Sequence, residues 1–317
     1  MITRLNFARE RFGNYLEYVP YITTMDCLYC SGKLYKGYDY KRPETFDSCY
    51  DQQVYKYYLE RGKHTSDPLE SMARTLHDHF IVKSIHELLA RYDKRKVVGV
   101  MGGSAMRRTD AVYRSIVYIS KHLTEDGTLM VSGGGSGAME ATSLGGYLAG
   151  RPDADIDCAL AILAKAPCYS SGGYMEAAYE VLEQLPSTGE YECLSIPTWL
   201  YGHEPTAPFA SHIGKLFENS IREDLLLTIS YGGIIYTPGS AGTMQEIFQD
   251  AVQNHYLTLG LSSPMVFFDT RFWTETMPAY TMLKQLSDTG RYKNLLLSIT
   301  DSPDEVINII TAFQQNP

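Results

Sequence analysis

From Lys96 onward, short apolar runs alternate with stretches of helical period. The runs, rich in Val, Ile and Leu, predict strands at 97–101, 128–132, 158–163, 192–196, 233–236, 265–268 and 295–299. Apolar residues at helical spacing predict helices at 109–124, 137–149, 173–185, 212–228, 241–254, 275–288 and 303–314. Ser302 with Glu305 three residues later forms a capping box at the start of the last helix. Strands alternating with helices imply a parallel sheet covered on both faces, a Rossmann-like doubly wound α/β fold. In such sheets ligands bind beyond the carboxyl ends of the strands.

Upstream the text is different. Residues 1 to about 65 are rich in Tyr, Gly and Lys, have weak periodicity and predict no fold. Ser66-Asp67-Pro68 then reads as a helix start. Leu69, Met72, Leu76, Phe80, Ile85, Leu88 and Leu89 predict one or two helices ending near Arg91. The chain therefore divides into an N-terminal extension, mainly helical or irregular (1–94), and a Rossmann-like α/β domain (95–317). The extension either packs on that domain or forms an oligomer contact.

Composition narrows the partners. Of 317 residues, 28 are Lys or Arg and 37 are Asp or Glu, a net charge of −9, which argues against nucleic-acid polymers. A small phosphorylated ligand stays possible, because backbone amides bind it whatever the net charge. The first 20 residues lack the apolar run and cleavage site of a signal peptide. The longest stretch without Asp, Glu, Lys or Arg, Leu225 to Gln245, contains Gly232-Gly233 and Pro238-Gly239 and cannot be one membrane helix. Six sparse cysteines suggest reduced thiols and a cytoplasmic protein.

Three predicted strands run into small-residue loops followed by helices. The first loop holds Gly102, Gly103 and Ser104. The second runs Ser132-Gly133-Gly134-Gly135-Ser136-Gly137-Ala138-Met139-Glu140. The third runs Thr237-Pro238-Gly239-Ser240-Ala241-Gly242-Thr243-Met244-Gln245-Glu246. Glycine allows close approach, and a helix start offers unpaired amides and a positive dipole end, so a phosphate is the natural occupant. The candidate binding set is Gly103 and Ser104; Gly133, Gly134, Gly135, Gly137, Met139 and Glu140; and Gly239, Ser240, Gly242 and Thr243. The first loop does not fit G-x-G-x-x-G, the second strand does not end in an acid, and no Walker lysine is in place. Classical dinucleotide and ATPase chemistries are thus disfavoured. Glu246 lies one turn into the third helix, and Arg222 lies 16 residues before Pro238.

The third loop resembles the PGGxGTxxE motif of the LOG family, phosphoribohydrolases that remove the base from nucleoside 5′-monophosphates. The second loop is similar to that family's other glycine motif, and Gly-Ala-Met-Glu-Ala is closest to bacterial pyrimidine/purine-nucleotide 5′-monophosphate nucleosidases. The likeness covers residues 95 to 317; the first 94 have no counterpart. It implies Arg222 and Glu246 as the catalytic pair and Gly239, Gly242 and Thr243 as phosphate-binding positions. It further implies no cofactor, no metal and a homodimer or higher homo-oligomer. Ser240 stands where the family has its second glycine; if that position needs a positive φ, serine costs about 1 kcal/mol. A non-catalytic nucleotide sensor and a nucleotide-sugar or dinucleotide enzyme are the rival readings.

Other residues invite weaker readings. Cys27-x-x-Cys30, with Cys49 and His64 as partners, is half of a zinc site at best, and ordinary thiols are expected. His77 and His79 flank Asp78 on one helix, point apart, and are expected on a solvated face. Arg107-Arg108 read as a solvated pair, or as a phosphate or subunit contact. The segment 197–211, with Trp199, Tyr201, His203, Pro205, Pro208 and Phe209, reads as an irregular surface loop, or as a lid or base-binding wall.

Overall fold

The computed structural model describes residues 12–315. The signal-peptide reading rests partly on residues 1–11, which lie outside the described residues.

Seven parallel strands form one sheet: β1 (Val97–Met101), β2 (Leu129–Ser132), β3 (Cys193–Ser195), β4 (His212–Ile213), β5 (Ile234–Tyr236), β6 (Pro264–Phe268) and β7 (Leu296–Thr300). Their order is β4-β3-β2-β1-β5-β6-β7. The register places Gly99 beside both Val131 and Ile234, and Met101 beside Tyr236. Strands β1, β2, β3, β5 and β6 are buried along their whole length, as expected of a parallel sheet covered on both faces. The fold is Rossmann-like α/β. The order reverses between β1 and β5, so the switch point lies at their carboxyl ends.

The helices are α1 (Ser31–Leu34), α2 (Tyr50–Glu60), α3 (Pro68–Leu89), α4 (Ala111–Glu125), α5 (Ala138–Leu148), α6 (Ala154–Leu163), α7 (Tyr174–Gln184), α8 (Asn219–Thr228), α9 (Ala241–Tyr256), α10 (Ala279–Asp288) and α11 (Pro303–Gln315). Two expectations need correction. Residues 158–163 are not a strand but the end of α6, where Ile156, Ala159 and Leu163 bury one face at helical spacing. A six-residue apolar run has no period long enough to separate the two states. The helix expected over 212–228 starts only at Asn219; His212 and Ile213 form the short edge strand β4. At the last helix the amide of Glu305 donates to Ser302 Oγ at 3.4 Å, while the Glu305 carboxylate turns to the Thr300 hydroxyl.

The extension is packed onto the sheet through buried polar contacts. Asp67 caps α3 by accepting from the Leu69 amide at 3.0 Å, and the helix is continuous for 22 residues. Tyr29 pairs antiparallel with Ile213, adding to the β4 edge. Asp51 accepts from Lys215 Nζ at 2.6 Å and Trp199 Nε1 at 3.0 Å. Asp78 accepts from the amides of Phe217 (3.0 Å) and Glu218 (2.9 Å), just ahead of α8. His77, expected on a solvated face, is instead buried; its Nδ1 lies 2.8 Å from Asp78 and its Nε2 3.1 Å from the Tyr29 hydroxyl. His79 is the exposed member of the pair. The abundant tyrosines serve the same end: the hydroxyls of Tyr15, Tyr21 and Tyr57 all donate to the buried Glu70 carboxylate.

No helix among the described residues is long and apolar enough to cross a membrane. Among the described residues, no group of three or more His, Cys, Asp or Glu is placed to hold a metal ion. Cys27 and Cys30 are exposed thiols, with Lys33 Nζ 2.9 Å from Cys27 Sγ.

Candidate functional site

A cleft opens at the switch point. One wall is the β1 exit, Val100 to Ser104. A second is Gly133, Gly135 and Met139 after β2. The third is Ser240, Gly242, Thr243 and Glu246 on α9, with Arg222 and Glu223 from α8 beside them. The segment after β3 closes it with Pro197, Thr198, Tyr201, Glu204 and Thr206.

The three glycine loops brace one another. The Thr237 amide donates to Met101 O at 2.9 Å, the Gly103 amide to Pro238 O at 3.0 Å, and the Ala138 amide to Gly103 O at 3.3 Å. Gly137 makes that last contact possible: its φ is +65°, and a Cβ there would run into the Gly103 carbonyl. It is therefore a bracing residue rather than part of the lining. Gly134 and Gly239 also stand outside the lining; a side chain at Gly239 would collide with Thr243 Oγ1. Gly133 does face the cleft, and its missing side chain leaves room for the Arg222 guanidinium.

Helix α9 begins inside the cleft. Its first backbone bond runs from the Met244 amide to Ser240 O at 3.0 Å. The amides of Ala241, Gly242 and Thr243 precede it and have no partner within the helix, so they form an anion-binding end. Ser240 has φ −125°. This position does not need the left-handed region, and serine carries no penalty there. Ser240→Gly is therefore expected to lower stability by at most about 1 kcal/mol, through added unfolded-state entropy. Urea unfolding checks this; a gain in stability of that size would show that serine is strained.

Glu246 is half-buried one turn into α9. Burial pushes its carboxyl up to about 7; Arg222 opposes that rise and Glu223 adds to it. Arg222 Nε donates to Ile196 O at 3.1 Å, and Nη2 lies 3.8 Å from Met139 Sδ. Among the described residues no carboxylate lies within 4 Å of its guanidinium to form an ion pair, so most of its N–H donors remain available to a ligand. Desolvation pulls its pKa down from the usual value, while the charges of Glu246, Glu223, Tyr201 and Glu204 oppose the fall. The sequence thus places Arg222 and Glu246 in one cleft from 24 residues apart.

Glu140 is a correction. It lies in the interior, not in the cleft, with both oxygens held by Arg108 at 2.6 and 2.8 Å and by the Tyr113 hydroxyl at 2.8 Å. Arg108 is correspondingly not a solvated residue. It is buried, stacks 3.5 Å from the Tyr174 ring centroid and also donates to the carbonyls of Ala166 and Tyr174. Its partner is 32 residues away, so no local pattern announces the pair.

The segment 197–211 forms a fixed wall. Trp199 is buried with its ring 4.5 Å from that of Phe217, and backbone bonds tie Trp199 to Leu216, Leu216 to Pro197, and Ala207 to Gly134. Tyr201 remains 46% exposed at the cleft. Glu204 and Glu223 also line the cleft, and neither was anticipated; Glu204 belongs to no spacing or motif, and only the fold of the wall brings it there.

No protein-family model matches this chain, and no curated protein matches it in sequence. Among solved structures, the chain is similar to the molybdenum cofactor binding protein from the phototrophic bacterium Rippkaea orientalis. That match has a TM-score of 0.44 and 14% identity over 69% of this chain and 97% of the other.

Proposed function

We propose that the chain hydrolyses the N-glycosidic bond of nucleoside 5′-monophosphates, as the LOG family that its glycine motifs resemble does. One observation carries the reading: a free helix start, an unpaired arginine and a carboxylate with a raised pKa meet in one cleft at the switch point.

In this reading the 5′-phosphate sits on the amides of Ala241, Gly242 and Thr243, with the Thr243 hydroxyl beside them. The ribose then lies against Glu246, one helical turn away. As the C1′–N bond breaks, the sugar gains oxocarbenium character, and the Glu246 carboxylate stabilises that charge and orients the incoming water. The water oxygen bonds to C1′, one of its protons goes to the departing base, and ribose 5-phosphate remains. Arg222 holds Glu246 in its anionic form and donates to the substrate. Written this way the reaction needs neither a redox cofactor nor a metal. Exposed Ile221, Val252 and Tyr256 on α8 and α9 support a further copy of the chain as partner.

Ser240, where the chain departs from the LOG motif, has a negative φ and is unstrained, which favours the hydrolase over a non-catalytic sensor. The test is incubation with AMP, GMP, CMP, UMP and IMP, followed by detection of free base and ribose 5-phosphate. Release from at least one is expected, and adenosine should be at least about tenfold worse than AMP in kcat/KM, because phosphate contacts are charge-assisted. Absence of release from all five defeats the reading. Equal use of AMP and adenosine would reduce the glycine loops to backbone geometry.

A further inference from the structure

Glu204 is a carboxylate brought to the cleft with its bonding incomplete. It sits on the wall segment, and its side chain is only 17% exposed. Its oxygens are reached by Ser104 Oγ at 3.5 Å and Ser136 Oγ at 3.3 Å, both long contacts, and His203 Nε2 stands 4.0 Å away. The stronger bond of Ser136 goes elsewhere, to Ser104 O at 2.9 Å. A mostly covered carboxylate with such long contacts keeps acceptor capacity for a ligand that donates to it.

The neighbouring groups suggest which part of the ligand that is. The phosphate end of the cleft is the start of α9, and Glu246 one turn on is placed for the ribose. Glu204 belongs to the wall segment, where its amide donates to Tyr201 O at 2.9 Å and the half-exposed Tyr201 also lines the cleft. An aromatic face next to a carboxylate edge is a base subsite, one for stacking and one for hydrogen bonding.

A carboxylate accepts through two parallel oxygens and donates nothing. Among the common bases, guanine alone offers two adjacent donors, N1–H and the 2-amino group, along one edge. Adenine and cytosine alternate donor with acceptor. Uracil offers one N–H flanked by two carbonyl oxygens, and hypoxanthine one N–H between a carbonyl oxygen and a C–H, so neither presents a second donor. We infer that Glu204 reads the base, that its best match is guanine, and that GMP is the preferred substrate of this site. This rests on the hydrolase reading of the cleft.

The experiment compares GMP with IMP, which differ only in the 2-amino group. With wild-type protein, kcat/KM for GMP should exceed that for IMP by about 5- to 150-fold, the range of a good bidentate pair. Glu204→Gln can offer only one acceptor along that edge, and the ratio should fall toward one, with the melting temperature as the control for folding. The wild-type comparison needs no variant and stands if Glu204→Gln misfolds. Equal use of GMP and IMP by wild type, or an intact ratio in Glu204→Gln, overturns the assignment. So does a loss on 2′-deoxy-GMP that matches the loss from Glu204→Gln, since the carboxylate would then hold the ribose. Calorimetric titration of GMP and IMP into Glu246→Gln protein separates the two claims. If wild type cleaves nothing, the hydrolase reading fails, and the calorimetric preference still decides whether Glu204 selects guanine.

Discussion

Glu246→Gln is expected to lower turnover by about 10²–10⁴-fold while nucleotide binding stays measurable, the usual loss for a positioned catalytic carboxylate. The substitution keeps the shape of the side chain and removes only the charge that, in the proposed reaction, faces the developing oxocarbenium ion. The pH dependence gives a second readout. Burial pushes the Glu246 carboxyl up to about 7, well above the ordinary 4.5. If the anion is the working form, kcat/KM in wild type should rise with pH through a limb centred near 7, and that limb should vanish in Glu246→Gln. Stability should run the other way. A carboxyl whose folded pKa is raised binds its proton more tightly in the native state, so it favours folding at low pH and loses that contribution between about 4.5 and 7. Asp250, also pushed up to about 7 by burial, adds to the same decline and will remain when Glu246 is replaced. Turnover within a few-fold of wild type in Glu246→Gln would remove this residue from the mechanism.

The parts of the fold legible in the sequence are those whose burial leaves an apolar run or a helical period. Strands β1, β2, β5 and β6 lie covered on both faces and therefore appear as plain apolar runs. The edge strand β4 has two residues and leaves no such trace. The end of α6 was mistaken for a strand because its six residues are apolar on nearly every side. Ahead of α3, which its apolar spacing announces, the extension is hidden for a different reason. Its interior is built on buried carboxylates at Asp51, Glu70 and Asp78, each satisfied by tyrosine, lysine, arginine, tryptophan or amide donors. Such a core has no hydrophobic period to detect. The same division holds at the site. Arg222 and Glu246 are visible because a motif fixes their places, and Tyr201 because aromatics crowd the segment 197–211, whereas Glu204 reaches the cleft only through a wall that Trp199 and the extension hold together.

Glu140→Ala tests the boundary between that site and the interior. The pair it forms with Arg108 is buried, with side-chain exposures of 0% and 1%, and bonded through both carboxylate oxygens. Removing the carboxylate leaves the guanidinium in the interior with only the carbonyls of Ala166 and Tyr174 and the face of Tyr174, and it strands the Tyr113 hydroxyl. Breaking a buried pair in this way costs about 3–5 kcal/mol. Urea denaturation should show a loss of that size, with KM for a nucleotide in the folded protein within a few-fold of wild type. The double replacement Arg108→Met with Glu140→Leu should be less destabilised than Glu140→Ala, because it leaves no unpaired charge behind. A double variant as unstable as the sum of its singles would mean that packing, not charge, carries the cost. A stable Glu140→Ala protein whose KM rises tenfold or more would return Glu140 to the substrate site and displace the buried-pair account.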